Sequence, residues 1–238
     1  HARTMLALML KPLLVGKSFI VRLIPIYSLQ PDFLRQIIEQ ILSIFTRHGG
    51  KLGALVCDNH MTNRRVFKSL NAPGCPPWIG TLPDISEFIM LFDSVHLLKS
   101  IRNNWITEGQ QIIRLRLPNE DGPIEAKWSD VIEIYKDESD LGVKSCPLTY
   151  SSCHPTPIER QKVYLILRVV NEKCVAELKN RGKNSTALVI DSILKLWKCL
   201  NIKTPYAHMK FYDPNRKSFS SVHDDRLEFL TEMGNMFS

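Results

Sequence analysis

Short apolar runs separated by polar turns dominate the front of the chain, and they predict strands. Runs of this length, with Ile and Val enriched in most of them, are too short for helices. They cover residues 4–10, 19–27, 52–57 and 88–92. The first run could be a strand or a helix, because Leu, Met and Ala also suit a helix. A hairpin formed by the first two runs is the simplest arrangement. Apolar residues at helical spacing predict a helix over residues 33–47 that stops at Gly49.

The run at residues 52–57 ends directly in Asp58. A polar stretch follows and leads into a predicted helix with Val66, Phe67 and Leu70 on its apolar face. Either Thr62 or Asn63 is expected to cap that helix. Since the carboxyl ends of strands in layered α/β sheets are where ligands and metals collect, Asp58 is well placed for chemistry. Alternatively, Asp58 only caps the next helix.

The run at residues 88–92 repeats this arrangement, because it ends in Asp93 and leads into a basic amphipathic helix over residues 97–105. The two acids could therefore face one another across a cleft. Between the repeats, residues 71–83 are dense in Pro and Gly and are predicted to be irregular, with Trp78 as the apolar anchor.

After these two strand–acid–helix arrangements, apolar residues recur mainly at helical spacing. The predicted elements are a small hairpin over residues 112–123 and helices over residues 129–139, 158–179, 186–200 and from Asp224 or Asp225 onwards. The predicted fold class is α/β followed by mainly α. The predicted domains are residues 1–98 and residues 99–238.

The charge balance favours a polyanionic partner. The net charge is +7 and the pI about 9.1, while 44% hydrophobic and 23% charged residues are ordinary for a globular protein. No run of five basic residues occurs, so an evenly charged surface is an alternative. Charged residues and Pro12 interrupt the apolar patches near the start, which excludes an ordinary membrane span there.

Six cysteines at irregular spacing predict free thiols in a reducing, intracellular setting. Cys146, Cys153 and His154 come nearest to a metal cluster, but no second pair at zinc-finger spacing accompanies them.

Basic residues follow both acids. Arg64, Arg65 and Lys68 come after Asp58, and Lys99 and Arg102 come after Asp93. We predict that they contact the phosphates of DNA, although such spacing also fits plain surface charge. A histidine also follows each acid, at positions 60 and 96. A lone histidine is more often a structural hydrogen-bonding group than a metal ligand, so we assign neither to a metal.

Four blocks, in this order and spacing, resemble the P-element-type transposases, which include THAP-finger relatives. The blocks read VCDNHMTNRRVFKSL, FDSVHLLKSIRNNW, HPTPIERQKVYLILRVVNEKCVAEL and YDPNRKSFSSVHDDRLEFLTEM. The resemblance covers nearly the whole chain. It implies an RNase H-like sheet, interrupted by a helical insertion domain that binds GTP.

The resemblance also implies roles for residues. Asp58 matches the second of two aspartates that hold Mg²⁺ or Mn²⁺ together with a glutamate, and Asp93 and His96 match a block that supports the site. The other two acids, the THAP finger and a dimerising coiled coil would lie outside this chain, which begins with His1 and is expected to be a fragment. Any homo-oligomer would form through those regions.

An aromatic-Asp-x-x-Asn stretch binds guanine in the family, and Trp197 and Asn201 match its ends. Lys198 stands in place of the Asp. An ammonium has no acceptor for the guanine N–H groups, so GTP specificity is doubtful. Alternatively, Trp197 anchors the core and Asn201 caps the helix.

The resemblance predicts a fragment of a nuclear DNA transposase that cuts and joins DNA with two metal ions. One aspartate cannot hold two metals, so we expect the fragment alone to be catalytically silent. The alternative is an inactive relic that binds DNA or protein. An independent GTPase is disfavoured because the sequence has no phosphate loop.

Overall fold

The computed structural model describes residues 2–13, 17–83, 85–107, 109–115, 122–202, 204, 206–219, 221 and 224–236. Contacts between Cα atoms divide the chain into two compact units, residues 1–93 and residues 94–238. The sequence places this boundary slightly later, at residue 98. We describe each unit by itself.

The first unit is a mixed α/β structure. Its elements are β1 (Thr4–Leu10), β2 (Phe19–Ile26), α1 (Pro31–Arg47), β3 (Ala54–Cys57), α2 (Met61–Leu70), β4 (Ile79–Leu82) and β5 (Ile85–Phe92). Strands β1 and β2 form the predicted antiparallel hairpin. Proline at the first position of α1 suits a helix start, because that position needs no backbone N–H donor.

A second sheet in this unit has the strand order β3-β5-β4. Strand β5 runs parallel to β3 and antiparallel to β4. Within the described residues, β3 pairs with β5 alone, so its other edge is open. Leu34, Ile38 and Leu42 of α1 pack with residues of α2 and β5 in a shared apolar core, against which Leu6 and Leu8 of the hairpin also pack.

Strand β4 corrects the prediction that residues 71–83 are irregular. The side-chain amide of Asn71 donates to the carbonyl oxygens of Pro76 and Ile79, at 2.8 and 2.9 Å, which ties the Pro-rich turn to the strand. At Gly80 a Cβ atom would lie 2.5 Å from the ring of Phe88, so only glycine fits. Trp78 is 54% exposed and is not the predicted anchor.

The second unit is mainly helical. Its elements are α3 (Ser94–Thr107), β6 (Ile112–Leu115), β7 (Ile124–Lys127), α4 (Trp128–Leu141), α5 (Tyr150–Cys153), α6 (Val163–Leu167), α7 (Glu172–Asn180), α8 (Asn184–Leu200), α9 (Ala207–Phe211) and α10 (Asp225–Met236). Three 3₁₀ turns lie at Gly109–Gln111, Glu159–Gln161 and Pro214–Arg216. Trp105 and Trp128 meet edge to face in its core, with ring centroids 5.3 Å apart.

The single helix predicted over residues 158–179 is wrong, because the chain forms a 3₁₀ turn, α6 and α7 there. Asn171 explains the break before α7. Its Oδ1 accepts from the backbone N–H groups of Lys173 and Cys174, at 3.0 and 3.1 Å. An asparagine that caps a new helix start competes with continuation of the preceding helix.

The fold class predicted from the sequence, α/β followed by mainly α, is confirmed. No helix in the described part of the chain is long and apolar enough to cross a membrane.

Candidate functional site

The two predicted acids lie at the same edge of the β3-β5 sheet. Cys57, the last residue of β3, pairs in register with Phe92, the last residue of β5. The backbone N–H of Asp93 then donates to the carbonyl oxygen of Cys57 at 2.8 Å. Because the strands are parallel, Asp58 and Asp93 occupy neighbouring positions where both strands end.

Asp58 is fixed by the turn that leads into α2. Its Oδ1 accepts from the backbone N–H of His60 at 3.0 Å and from the side-chain amide of Asn63 at 2.8 Å. Within the described residues, Oδ2 makes no hydrogen bond. One oxygen therefore orients the carboxylate, and the other is left for a ligand.

His60 caps α2, which corrects the expectation of Thr62 or Asn63 and the alternative that Asp58 is the cap. Its Nδ1 accepts from the backbone N–H of Thr62 at 3.3 Å. Asn63 is directed back to Asp58 instead. Asp93 and His96 are both half-buried, and each makes a further contact within the chain.

Helix α2 brings three cations into the same unit as the acids. Arg64, Arg65 and Lys68 are exposed, and none forms an ion pair within the described residues. The ring of Phe67 stacks on that of Phe92 with centroids 4.9 Å apart, so α2 is anchored beside the end of β5. Nε of Arg64 donates to Oδ1 of Asn59 at 2.6 Å. Cations that form no ion pair are available for the phosphates of a nucleic-acid backbone.

Arg102 is not the predicted surface cation, because it is 0% exposed. Its Nε donates to Oδ1 of Asn103 at 3.1 Å, and its Nη2 donates to the carbonyl oxygen of Arg160. Burial, and then the charge of Arg160, lower its pKa to about 10, so it stays protonated at neutral pH. Leu98, Arg102 and Trp105 form the buried stripe of α3, and this spacing was a signal in the sequence. Lys99 is half-buried, in the second unit.

The site offers a divalent metal ion ligands of a suitable type, but too few of them. Carboxylate oxygens are the donors that Mg²⁺ and Mn²⁺ prefer, and Asp58 and Asp93 could supply them. Within the described residues no group of three or more His, Cys, Asp and Glu side chains could hold a metal ion. Burial, and then the charge of Asp58, raise the pKa of Cys57 to about 12, so its thiol stays neutral. All six cysteines, including Cys146 and Cys153, are free.

The predicted nucleotide residues do not fit a guanine site. Trp197 is only 8% exposed, and the apolar cleft beside it has a volume of about 10 Å³, the space of roughly one water molecule. Asn201 follows the end of α8, where its backbone N–H donates to the carbonyl oxygen of Trp197 at 2.9 Å. This agrees with the alternative of a core anchor and a helix cap.

Lys198, in place of the expected Asp, binds two carboxylates of its own unit. Its Nζ lies 2.6 Å from Oε1 of Glu172 and 2.8 Å from Oδ2 of Asp213. Burial alone would raise the pKa of Asp213, but hydrogen bonds from Lys198 and Asn215 outweigh it and hold that pKa below the usual value. The ammonium is therefore engaged in holding the segment that contains Asp213 against α8.

The sequence matches no family model and no curated protein. A solved structure, the Drosophila P element transposase strand transfer complex, has a similar fold with a TM-score of 0.75 and 16% sequence identity. The match covers 97% of this chain and 51% of that chain, so this chain spans about half of its length. This likeness confirms the predicted fold, a partial RNase H-like core followed by a helical region.

We expect no guanine-specific binding by this chain. Isothermal titration calorimetry with GTP and with ATP should show no micromolar binding that prefers GTP, because Lys198 offers guanine no acceptor. Micromolar binding of GTP that Asn201→Ala abolishes would contradict this.

Proposed function

We propose that this chain is part of the catalytic core of a DNA transposase, which cuts and rejoins DNA by metal-dependent phosphoryl transfer. The observation that carries the proposal is the placement of Asp58 and Asp93 at neighbouring strand ends, with the unpaired cations of α2 in the same unit. The likeness in fold to a P element transposase supports it.

The residues of the first unit would divide the work. Arg64, Arg65 and Lys68 would bind phosphates of the DNA backbone and orient the strand. Asp58 would hold a metal ion through the oxygen that the turn leaves open, and Asp93 would support the site from the next strand. When bound, Mg²⁺ or Mn²⁺ stabilises the attacking and leaving oxygens of a phosphoryl transfer.

Two metal ions need more carboxylates than the described residues bring together. We therefore assign the activity to a longer polypeptide that adds two further acids, one of them on a strand that could pair with the open edge of β3. We include no guanine nucleotide, because the residues around Lys198 do not fit one. We propose transposon-end and target DNA as its substrates and the nucleus as its place of action.

An inactive relic that binds DNA is the second candidate. It fits the described residues as they stand, because they bring together no metal-binding trio, whereas the transposase needs further acids from a longer polypeptide. Both candidates need the cations of α2 for DNA, and only the transposase also needs Asp58 for cutting.

The binding role of α2 can be tested on this chain. Changing Arg64, Arg65 and Lys68 together to Gln should weaken duplex DNA binding at least about tenfold. Because three phosphate contacts are lost, the slope of log affinity against log salt concentration should also become shallower by about 3. Fluorescence anisotropy at several salt concentrations measures both.

The matched control for α2 is Arg35→Gln. Arg35 is a cation of the same unit that already pairs with Glu39 at 2.7 Å, and its Nη1 donates to the carbonyl oxygen of Ser69 in α2 at 3.1 Å. It therefore controls for a disturbed α2 contact without removing a cation that is free for phosphate. This variant should keep the parent affinity. Equal binding by the triple variant and the parent would contradict the phosphate contacts.

The cutting role of Asp58 separates the two candidates. With Mg²⁺, the 238-residue chain should leave transposon-end DNA intact, since it brings too few carboxylates together. In a longer polypeptide with the further acids, Asp58→Asn should slow cutting at least about a hundredfold and leave DNA affinity unchanged.

Cys57→Ser is the control for that experiment, because it changes a neutral thiol beside Asp58 and should keep cutting. Cutting by the 238-residue chain would contradict the need for further acids. A longer polypeptide whose Asp58→Asn variant cuts as fast as its parent would overturn the assignment.

A further inference from the structure

Residues 206–219 of the second unit expose aromatic and cationic side chains together. Four of these fourteen residues are aromatic, against 8% of the whole chain. The residues that form what we call the aromatic-basic surface are Tyr206, Lys210, Phe211, Tyr212, Arg216 and Lys217. The surface lies on α9 and on the turn that follows it.

The aromatic rings of this surface contribute little to the core. Tyr206 is 67% exposed, Phe211 56% and Tyr212 95%. Tyr212 also has a φ of 50°, in the left-handed region where a bulky side chain is unfavourable and glycine is usual. A ring that is almost fully in solvent and sits on an unfavourable backbone does not stabilise the fold, which suggests that it contacts a ligand.

Two cations lie over the ring of Phe211. The guanidinium carbon of Arg216 lies 4.8 Å from the ring centroid, and Nζ of Lys210 lies 5.7 Å from it. The only carboxylate in the segment is that of Asp213, which Lys198 binds at 2.8 Å and which lies 3.7 Å from Nε of Arg216. The surface therefore combines exposed rings with cations, and its one carboxylate is already paired with Lys198 and Arg216.

The backbone under this surface is held in place. Arg226 is 9% exposed, and its guanidinium donates to the carbonyl oxygens of Asn215, Lys217 and Ser218. It also pairs with Asp224 at 2.6 Å. Together with the Lys198 contact, this fixes the turn before any ligand arrives, so little entropy is lost on binding.

We propose that the aromatic-basic surface binds single-stranded DNA, with bases stacked on Phe211 and Tyr212 and phosphates bound by Lys210, Arg216 and Lys217. The bases of a single strand are free to stack on exposed rings, and cations between the rings can bind its phosphates. This combination is typical of surfaces that bind single-stranded nucleic acid. The rings and Arg216 would also suit a protein partner, but Lys210 and Lys217 would not, because Lys is depleted at the centres of protein interfaces. Phosphates account for the two lysines as well as for the arginine. The choice of DNA over RNA rests on the proposed function.

The test measures anisotropy of a labelled single-stranded DNA of about 20 nucleotides, an ample length for such sites, with the whole chain and without metal. Phe211→Ala should weaken binding about fivefold or more, the loss expected for one stacked base. Tyr212→Gly should weaken it similarly while keeping or raising the melting temperature, because glycine relieves the positive φ. That combination separates a ligand contact from a folding effect.

Tyr164→Ala is the matched control, because Tyr164 lies on α6 of the same unit and is 55% exposed. It should bind single strands like the parent. Unchanged affinity of Phe211→Ala and Tyr212→Gly would overturn the proposal, and so would tighter binding of the same sequence as RNA or no binding of single strands.

Failure here and failure of the proposed function are distinguishable. If single strands do not bind but duplex binding still depends on the cations of α2, the aromatic-basic surface is excluded and the transposase assignment stands. If single strands bind through Phe211 and Asp58 proves dispensable for cutting in the longer polypeptide, the surface stands and the assignment falls.

Discussion

The parallel pairing of β3 with β5 is the constraint on which the candidate site depends. Phe88 and Met90 point from β5 into the core, and this burial fixes the register of the strand. In that register Cys57 lies opposite Phe92, so the residues that follow them reach the sheet edge together. A slip by one residue would turn the buried side chains outwards and separate the acids. The stacking of Phe67 on Phe92 then ties α2 to the same strand end.

The elements that set this geometry were predictable from the sequence because each has one strong periodicity. The hairpin, α1, β3, α2 and β5 all follow from apolar runs or from a helical stripe. Strand β4 was missed because Pro and Gly normally mark irregular chain, whereas Gly80 is needed here for close contact with Phe88. The break at Asn171 was missed because a side-chain cap competes with a helical pattern only locally.

The candidate site was predictable in its residues more than in its contacts. Asp58 and Asp93 follow strands, and that position is visible in the sequence. The role of Asn63 as a donor to Asp58 was not, since an asparagine near a helix start usually acts as the cap. Arg102 was assigned by its distance from Asp93 along the chain, although its spacing from Leu98 and Trp105 places it on the buried face of α3.

The pairing of charges separates structural cations from those left for a partner. Lys198 and Arg226 are largely buried, and each binds carboxylates of the second unit, so they hold its last segment in place. Arg64, Arg65 and Lys68 form no ion pair within the described residues, and Lys210 lies near an exposed ring. Arg216 lies over the same ring but also pairs with Asp213 at 3.7 Å. The net charge of +7 therefore indicates a polyanionic partner mainly at the places where basic residues form no ion pair.

The claim that one sheet edge gathers both acids is tested most directly by paramagnetic relaxation. Two carboxylates are too few to hold a metal ion tightly, so Mn²⁺ is added in excess to the ¹⁵N-labelled chain. It should broaden the amide signals around Asp58 and Asp93 together, and Asp58→Asn should remove the broadening at both. Broadening at only one of the two strand ends, or broadening that survives Asp58→Asn, would contradict the account.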